Sequence, residues 1–165
     1  MAKFTFSGME EYERLLSKLY TDTTPMCRNA VYEGAKVVAD AVRSSIESLH
    51  AKPDLSAIIA YRAQTSGYLV QTQKQGLLDG FGVSPMQNEN GYINVKLGFD
   101  GYNDIQTHTY PNGQPNALIA RSVDGGTSFM KKQPFIRKAV KRSQNKAIEV
   151  MQQSIDHDIS NTMKG

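Results

Sequence analysis

The feature that most constrains this chain is a run of apolar and small residues near its end at spacings of three and four. It comprises Ile136, Ala139, Val140, Ser143, Ala147, Val150, Met151, Ser154, Ile155, Ile159 and Met163. Such spacing marks one face of a helix. With Gln133-Pro134 opening it, the helix predicted over 133–163 is about 45 Å long at 1.5 Å per residue. A chain of 165 residues reads as one domain, 1–165, about 40 Å across. The helix therefore spans that domain or overshoots it, while Ile155, Ile159 and Met163 stay in register to its end. Burying one such side chain is worth roughly 1.5–3 kcal/mol. The pattern points to a second subunit over that end, the alternative being a frayed or bent tail.

The charges along the same segment point outward too. Seven of the ten Lys and Arg residues in 81–165 lie between Lys131 and Lys146, with no acidic residue among them. Lys131, Lys132, Arg137 and Lys138 sit around the predicted N-terminus. Cations there oppose the helix dipole at about 0.3–1 kcal/mol each when exposed. An acidic neighbour, a partner subunit or nucleic acid would offset this. Lys141 and Arg142 extend the basic face. The whole chain carries only +3, so a basic patch is the reading rather than a basic protein.

Upstream, Phe4-Thr5-Phe6 alternates as a short strand. Ser7 with Glu10 forms a capping box for a helix over 8–20 bearing Met9, Tyr12, Leu15, Leu16 and Leu19. Thr21 to Thr24 reads as a break, and Thr24-Pro25 as the cap and first turn of a second helix to about Leu49. The seam of that helix is Cys27, Ala30, Val31, Gly34, Val38, Ala41, Val42, Ser45, Ile46 and Leu49. Its small residues allow close packing against another element. Ala57 to Tyr61, with Asp54 as cap, reads as a short helix, and Gln73 to Asp79 as another, started by Thr72. Val83–Gln87 and Tyr92–Phe99 read as paired strands around an Asn-Gly turn at 88–91. On the second strand Ile93, Val95, Leu97 and Phe99 form the inner face. The stretch 100–116 is a long loop rich in Gly, Asn, Pro and Tyr, of the length that is functional or mobile. Asn116 caps a two-turn helix, Ala117 to Val123, stopped by Gly125-Gly126.

Enzyme chemistry finds little support. Gly125-Gly126-Thr127-Ser128 lacks the Lys and the preceding Gly of a phosphate loop, and Gly80-Phe81-Gly82 lacks the third Gly of a dinucleotide turn. His50, His108 and His157 lie on unrelated segments with no ligand-spaced partner. Asp100 and Asp104 lack the ligand series of a calcium loop. Cys27, the lone cysteine, falls on an apolar seam and excludes an internal disulfide, so a reducing compartment is the simplest reading. No segment reaches the roughly 20 apolar residues of a membrane span, and no signal core is present. The reading is no catalysis, no cofactor and no metal, with synthesis in a cytoplasm and release only by lysis.

Three segments in order carry a resemblance. They are Gly76-Leu77-Leu78-Asp79-Gly80-Phe81-Gly82-Val83, then Val95-Lys96-Leu97-Gly98-Phe99-Asp100-Gly101-Tyr102-Asn103, then Leu118 through Phe129 leading into Gln133-Pro134-Phe135-Ile136-Arg137-Lys138-Ala139-Val140. Together they resemble the small tail-component proteins of tailed bacteriophages, the head–tail joining or tail-completion proteins. That family shows a strand ending in Gly-Phe, a Gly-Thr-Ser turn, a Pro-Phe pair and a long C-terminal helix. The chain departs from it at Gly125, often acidic there, and at Lys138, commonly Pro.

The resemblance implies an α+β fold, several helices on a small antiparallel sheet. It also implies a ring, six-fold, at the head–tail junction or the top of the tail of a phage, prophage or phage-tail-like particle. The expected partners are other copies of the chain and the adjacent neck, connector, tail-tube or sheath proteins, with passing contact to DNA. The candidate interface residues are Tyr102, Tyr110, Phe129, Lys131, Lys132, Arg137, Lys138, Lys141, Arg142, Ile155 and Ile159. The alternative is a nucleic-acid-binding module using the basic 131–146 cluster. Against it, that cluster lacks the interleaved aromatics of a single-strand binder.

Overall fold

A computed structural model describes residues 9–54 and 67–164. In chain order these form helix α1 (Met9–Glu47), strands β1 (Ala51–Lys52) and β2 (Leu69–Val70), and helix α2 (Gln71–Gly80). Strands β3 (Phe81–Val83), β4 (Gln87–Glu89), β5 (Tyr92–Asn94) and β6 (Leu97–Phe99) follow, then helices α3 (Asn116–Gly125) and α4 (Ile136–Lys164). The class is α+β, as expected. The predicted strand at 4–6, the Ser7 cap and the helix at 57–61 lie outside the described residues.

α1 and α4 pack antiparallel along their length. They come close at Gly34, where an added Cβ would stand 2.6 Å from Cγ and 2.7 Å from Sδ of Met151. Small residues line both sides: Ala30 and Ala39 on α1, Ala139, Ser143 and Ala147 on α4, all buried. At the other end the side chain of Gln133 accepts from the His50 N–H at 3.0 Å and donates to the His50 carbonyl at 3.1 Å. That double bond clamps the exit of α1 to the entry of α4.

α1 is one helix where two were expected. Pro25 sits inside it, which removes one hydrogen bond and strains the preceding turn. Just upstream, Thr21 donates its hydroxyl to the Ser17 carbonyl at 3.0 Å and Thr23 to the Leu19 carbonyl at 2.9 Å. Packing on α4 runs through this region, with Met26 and Thr162 both buried. The tertiary contact carries the helix across a local break signal. The overshoot is also on the other partner. Counting in equal steps from Gly34 and Met151, Lys164 falls level with Thr21, so the first turns of α1 run past α4 by about 18 Å. Ile155 and Ile159 are half-buried on the α1 pair.

The core gathers where α2, α3 and the strands meet the clamped end of the helix pair. Ile46, Leu69, Leu77 and Val123 are fully buried. Phe99 packs on Phe81 at 5.2 Å between ring centroids and edge-on to Phe135 at 6.1 Å. The strands make three two-stranded sheets: β1–β2 parallel, β3–β6 and β4–β5 antiparallel. β3 to β6 are one long ribbon interrupted near Pro85, which has no N–H to donate. Its turn is the expected Asn90-Gly91, with φ of 54° and 84°. Ile93, Val95, Leu97 and Phe99 are half-buried as the alternation predicts. The parallel β1–β2 pair was not expected.

Helix ends are satisfied by charged side chains from elsewhere in the chain. Lys74 on α2 donates to the carbonyls of Glu47 and Leu49 at 2.7 and 3.0 Å, closing the C-terminus of α1. Asp54 accepts the Thr72 N–H at 2.9 Å, at the N-terminus of α2. Each places its charge where the helix dipole favours it. Asn116 is not a cap. It is the first residue of α3, buried, and its amide donates to the Asp100 carbonyl at 2.9 Å.

That bond belongs to the base of the 100–116 loop, which lies on the Gly76 and Gly80 face of α2. A Cβ on Gly80 would collide with the Asp100 carbonyl, and one on Gly76 would stand 2.6 Å from Asn116 Oδ1. Gly125, also helical, has nothing within 4 Å. Replacing Gly80 by Ala is expected to destabilise the protein by about 1–3 kcal/mol through overpacking, although Ala is the better helix former. Gly125→Ala should be neutral or stabilising by about 0.5–1 kcal/mol. Urea titration of the two variants, compared with wild type, checks the contrast.

Candidate assembly surface

The segment between α3 and α4 is built to hold a fixed shape. Thr127 and Met130 exchange backbone hydrogen bonds at 2.9 and 3.3 Å, and the Thr127 hydroxyl accepts the Phe129 N–H at 3.2 Å. The turn thus displays Phe129 at its tip, 67% exposed. The Lys131 N–H donates to the Gly67 carbonyl, and the Gln133 N–H to the Val123 carbonyl, both at 2.8 Å. Phe135 then enters the core.

Asp124, on α3, supplies the missing anion at the start of α4. Its Oδ1 accepts the Ile136 N–H at 2.9 Å and lies 3.5 Å from the Arg137 N; its Oδ2 accepts from Arg137 Nε at 3.0 Å. The Asp124 side chain is 11% exposed and that of Arg137 is 71% exposed. The acidic neighbour required by the dipole argument is therefore in the same chain, and Arg137 is held by it. Lys146 pairs with Glu149 at 3.2 Å. Lys131, Lys132, Lys138, Lys141 and Arg142 are exposed, and no ion pair joins them to another described residue.

The remaining candidates lie apart. Tyr102 is 66% exposed and its backbone bridges to Pro115, at the start of α3. Tyr110 is half-buried, on a small turn where Thr107 and Tyr110 exchange backbone hydrogen bonds. This group and the Phe129 group sit at opposite ends of α3, about 15 Å apart along its axis. Ile155 and Ile159 are about 27 Å or more along α4 from Arg137. Phe129, Lys131, Lys132, Arg137, Lys138, Lys141 and Arg142 are thus exposed within one stretch of chain, 129–142, while the tyrosines and the isoleucines occupy two other stations.

Sequence reasoning missed several exposed apolar side chains. Val140, placed on the seam by period, is 41% exposed, and Ile148 is 46% exposed. Leu118, Tyr32, Val83 and Tyr92 are also exposed. For Val140 the signal was present. Its neighbours Ala139 and Ser143 define a narrower seam of small residues, and Val140 lies on the flank of that seam.

Among the described residues no three His, Cys, Asp or Glu side chains group as metal ligands. His50 is exposed and engaged through its backbone, and His108 is exposed. The His157 ring contacts Asn161 and lies 3.7 Å from Asp158. Cys27 is half-buried on α1. Among the described residues no helix is long and apolar enough to cross a membrane. No known protein family, curated protein or solved structure matches the chain.

Removing the Asp124 carboxylate leaves the α4 N-terminus without its cap and a buried site without its anion. Asp124→Ala is expected to cost about 1–2 kcal/mol. Arg137→Ala, which removes a largely exposed partner, should cost under about 1 kcal/mol. Denaturant midpoints of the two variants read the difference.

Proposed function

We propose that the chain is a structural assembly subunit of a tailed phage, prophage or phage-tail-like particle, forming a ring at the head–tail junction or the top of the tail. The observation that carries this reading is how the three resembling segments come together. Phe81 from the first, Phe99 from the second and Phe135 from the third form one aromatic cluster. The Asp100 N–H donates to the Gly80 carbonyl at 2.8 Å, joining the first two segments. Asp124 of the third caps the helix that the Pro-Phe pair opens. Residues that resemble one family in three separate places thus support a single packed unit, as expected of a shared fold. That unit carries the exposed side chains of Phe129, Arg137 and Arg142, residue types enriched at contacts between proteins.

In this reading Phe129 and the basic start of α4 face a neighbour, and the 100–116 loop a second one. Large ring-forming interfaces place a few aromatic and Arg anchors at their centres. Purified protein, alone and mixed with tail tubes, is to be followed by sedimentation and electron microscopy. Rings, or a terminal density on tubes, are expected. A protein that stays monomeric and binds neither tubes nor connectors sinks the proposal. Phe129→Ser should leave stability within about 0.5 kcal/mol while lowering occupancy on tubes at least tenfold.

The exposed Lys138, Lys141 and Arg142 also favour a second reading, in which this face binds nucleic acid. Its signature is a labelled oligonucleotide that shifts at low micromolar protein and is released steeply by salt.

A further inference from the structure

Among the described residues, β3 has one paired edge and one open edge. Hydrogen bonds from Asp100 N–H to Gly80 and from Ser84 N–H to Lys96 bracket the ladder with β6. In an antiparallel ladder the bonded positions alternate, so Gly82 faces β6. The N–H and C=O of Val83 and the C=O of Phe81 point the other way. Among the described residues no strand pairs with that side. A groove of about 270 Å³ runs beside it, lined on the α1 side by Tyr32, Ala35, Ala39 and Arg43 and on the strand side by Phe81 and Val83. Its lining mixes these apolar side chains with the charged Lys36, Asp40 and Arg43 of α1. This is the form of a site that accepts an added strand: backbone groups for pairing and a cleft for alternate side chains.

The chain contains a matching segment. Phe4-Thr5-Phe6, outside the described residues, alternates in sequence, and in an extended conformation such a pattern puts both rings on one side. It cannot reach the groove of its own molecule. Phe4 is five residues from Met9, at most about 18 Å of extended chain. The groove begins at Tyr32, about 35 Å from Met9 along α1. The shortfall does not depend on what precedes Phe4. We propose that Phe4–Phe6 of one copy pairs with the open edge of β3 in a second copy, its two phenylalanines entering the groove between β3 and α1. Donor and acceptor lie far apart on each molecule, so the contact is head-to-tail and repeats into a ring or an open chain. This deepens the ring reading and rests on it only for closure.

Two variants separate donor from acceptor. Phe4→Asp/Phe6→Asp spoils the strand and keeps the groove. Val83→Pro removes the outward N–H while sparing the bonds to β6, a position where proline is tolerated. By sedimentation, wild type should self-associate at least tenfold more tightly than either variant. A one-to-one mixture of the two should form a heterodimer and nothing larger. A labelled peptide spanning Ala2–Gly8 should saturate the Phe4→Asp/Phe6→Asp protein below about 1 mM and not the Val83→Pro protein. The proposal falls if either variant assembles like wild type, if the mixture stays monomeric, or if the peptide fails to discriminate. Circular dichroism confirms that both variants are folded. Should wild type occupy tail tubes while these tests fail, the strand contact is lost and the tail reading stands.

Discussion

The antiparallel pairing of α1 with α4 sets the position of everything else in the molecule, and it depends on small side chains. Gly34 admits Met151 to within a distance that a Cβ would forbid, and the buried Ala and Ser residues on both helices keep the axes close. A seam so narrow buries modest area per residue. Its strength comes from length, since dispersion contacts are individually small and add along the interface. The pair is clamped at one end by Gln133 on His50 and stiffened along α4. It then offers a platform on which α2, α3 and the ribbon assemble the larger side chains of the core.

The charges at the helix termini follow from this arrangement. Each of three ends carries a charged side chain from another part of the chain: Lys74 on α1, Asp54 on α2, Asp124 on α4. These contacts exist only once the elements are packed, so they couple local helix stability to the tertiary fold. They also explain why cations can crowd the start of α4. Asp124 neutralises the turn where the dipole is strongest, and the effect fades beyond the first turn. Lys138, Lys141 and Arg142 are then free to serve a surface role with little penalty to the helix that carries them.

Much of the fold was legible because period is a local property. The α4 helix, the second half of α1, the Asn90-Gly91 hairpin and the inner face at Ile93 to Phe99 all follow from spacing and turn chemistry. The failures were of another kind. The Thr21–Pro25 break was a sound local inference that packing on α4 overrode. Asn116 looked like a cap because it precedes an apolar run, yet its amide is engaged by Asp100 sixteen residues away. The parallel β1–β2 pair has two residues on each strand, too few to leave a pattern. As for the surface, the exposure of Phe129 was readable from its place in a Gly-rich turn. That Ile155 and Ile159 would be partly covered was not, because it depends on how far α1 and α4 overlap: counted in equal steps from Gly34 and Met151, they fall level with Ala30 and Met26.

The correction to α1 changes which end of the molecule faces outward. With two helices, the far end of α4 was the only apolar surface extending beyond the body, and a partner was needed to cover it. In the fold α1 lies alongside that end from Ala30 and Met26 onward and, as one helix, itself projects beyond α4, carrying Leu16 and Tyr20 exposed. A projecting helix is a lever. It moves whatever precedes it about 35 Å from the groove at Tyr32, farther than the linking residues can fold back. The same length that stabilises the monomer through the seam would therefore keep Phe4–Phe6 from the acceptor proposed at β3 of its own molecule. In the proposed strand exchange, this length would direct the N-terminal segment toward another molecule, a geometric route to assembly.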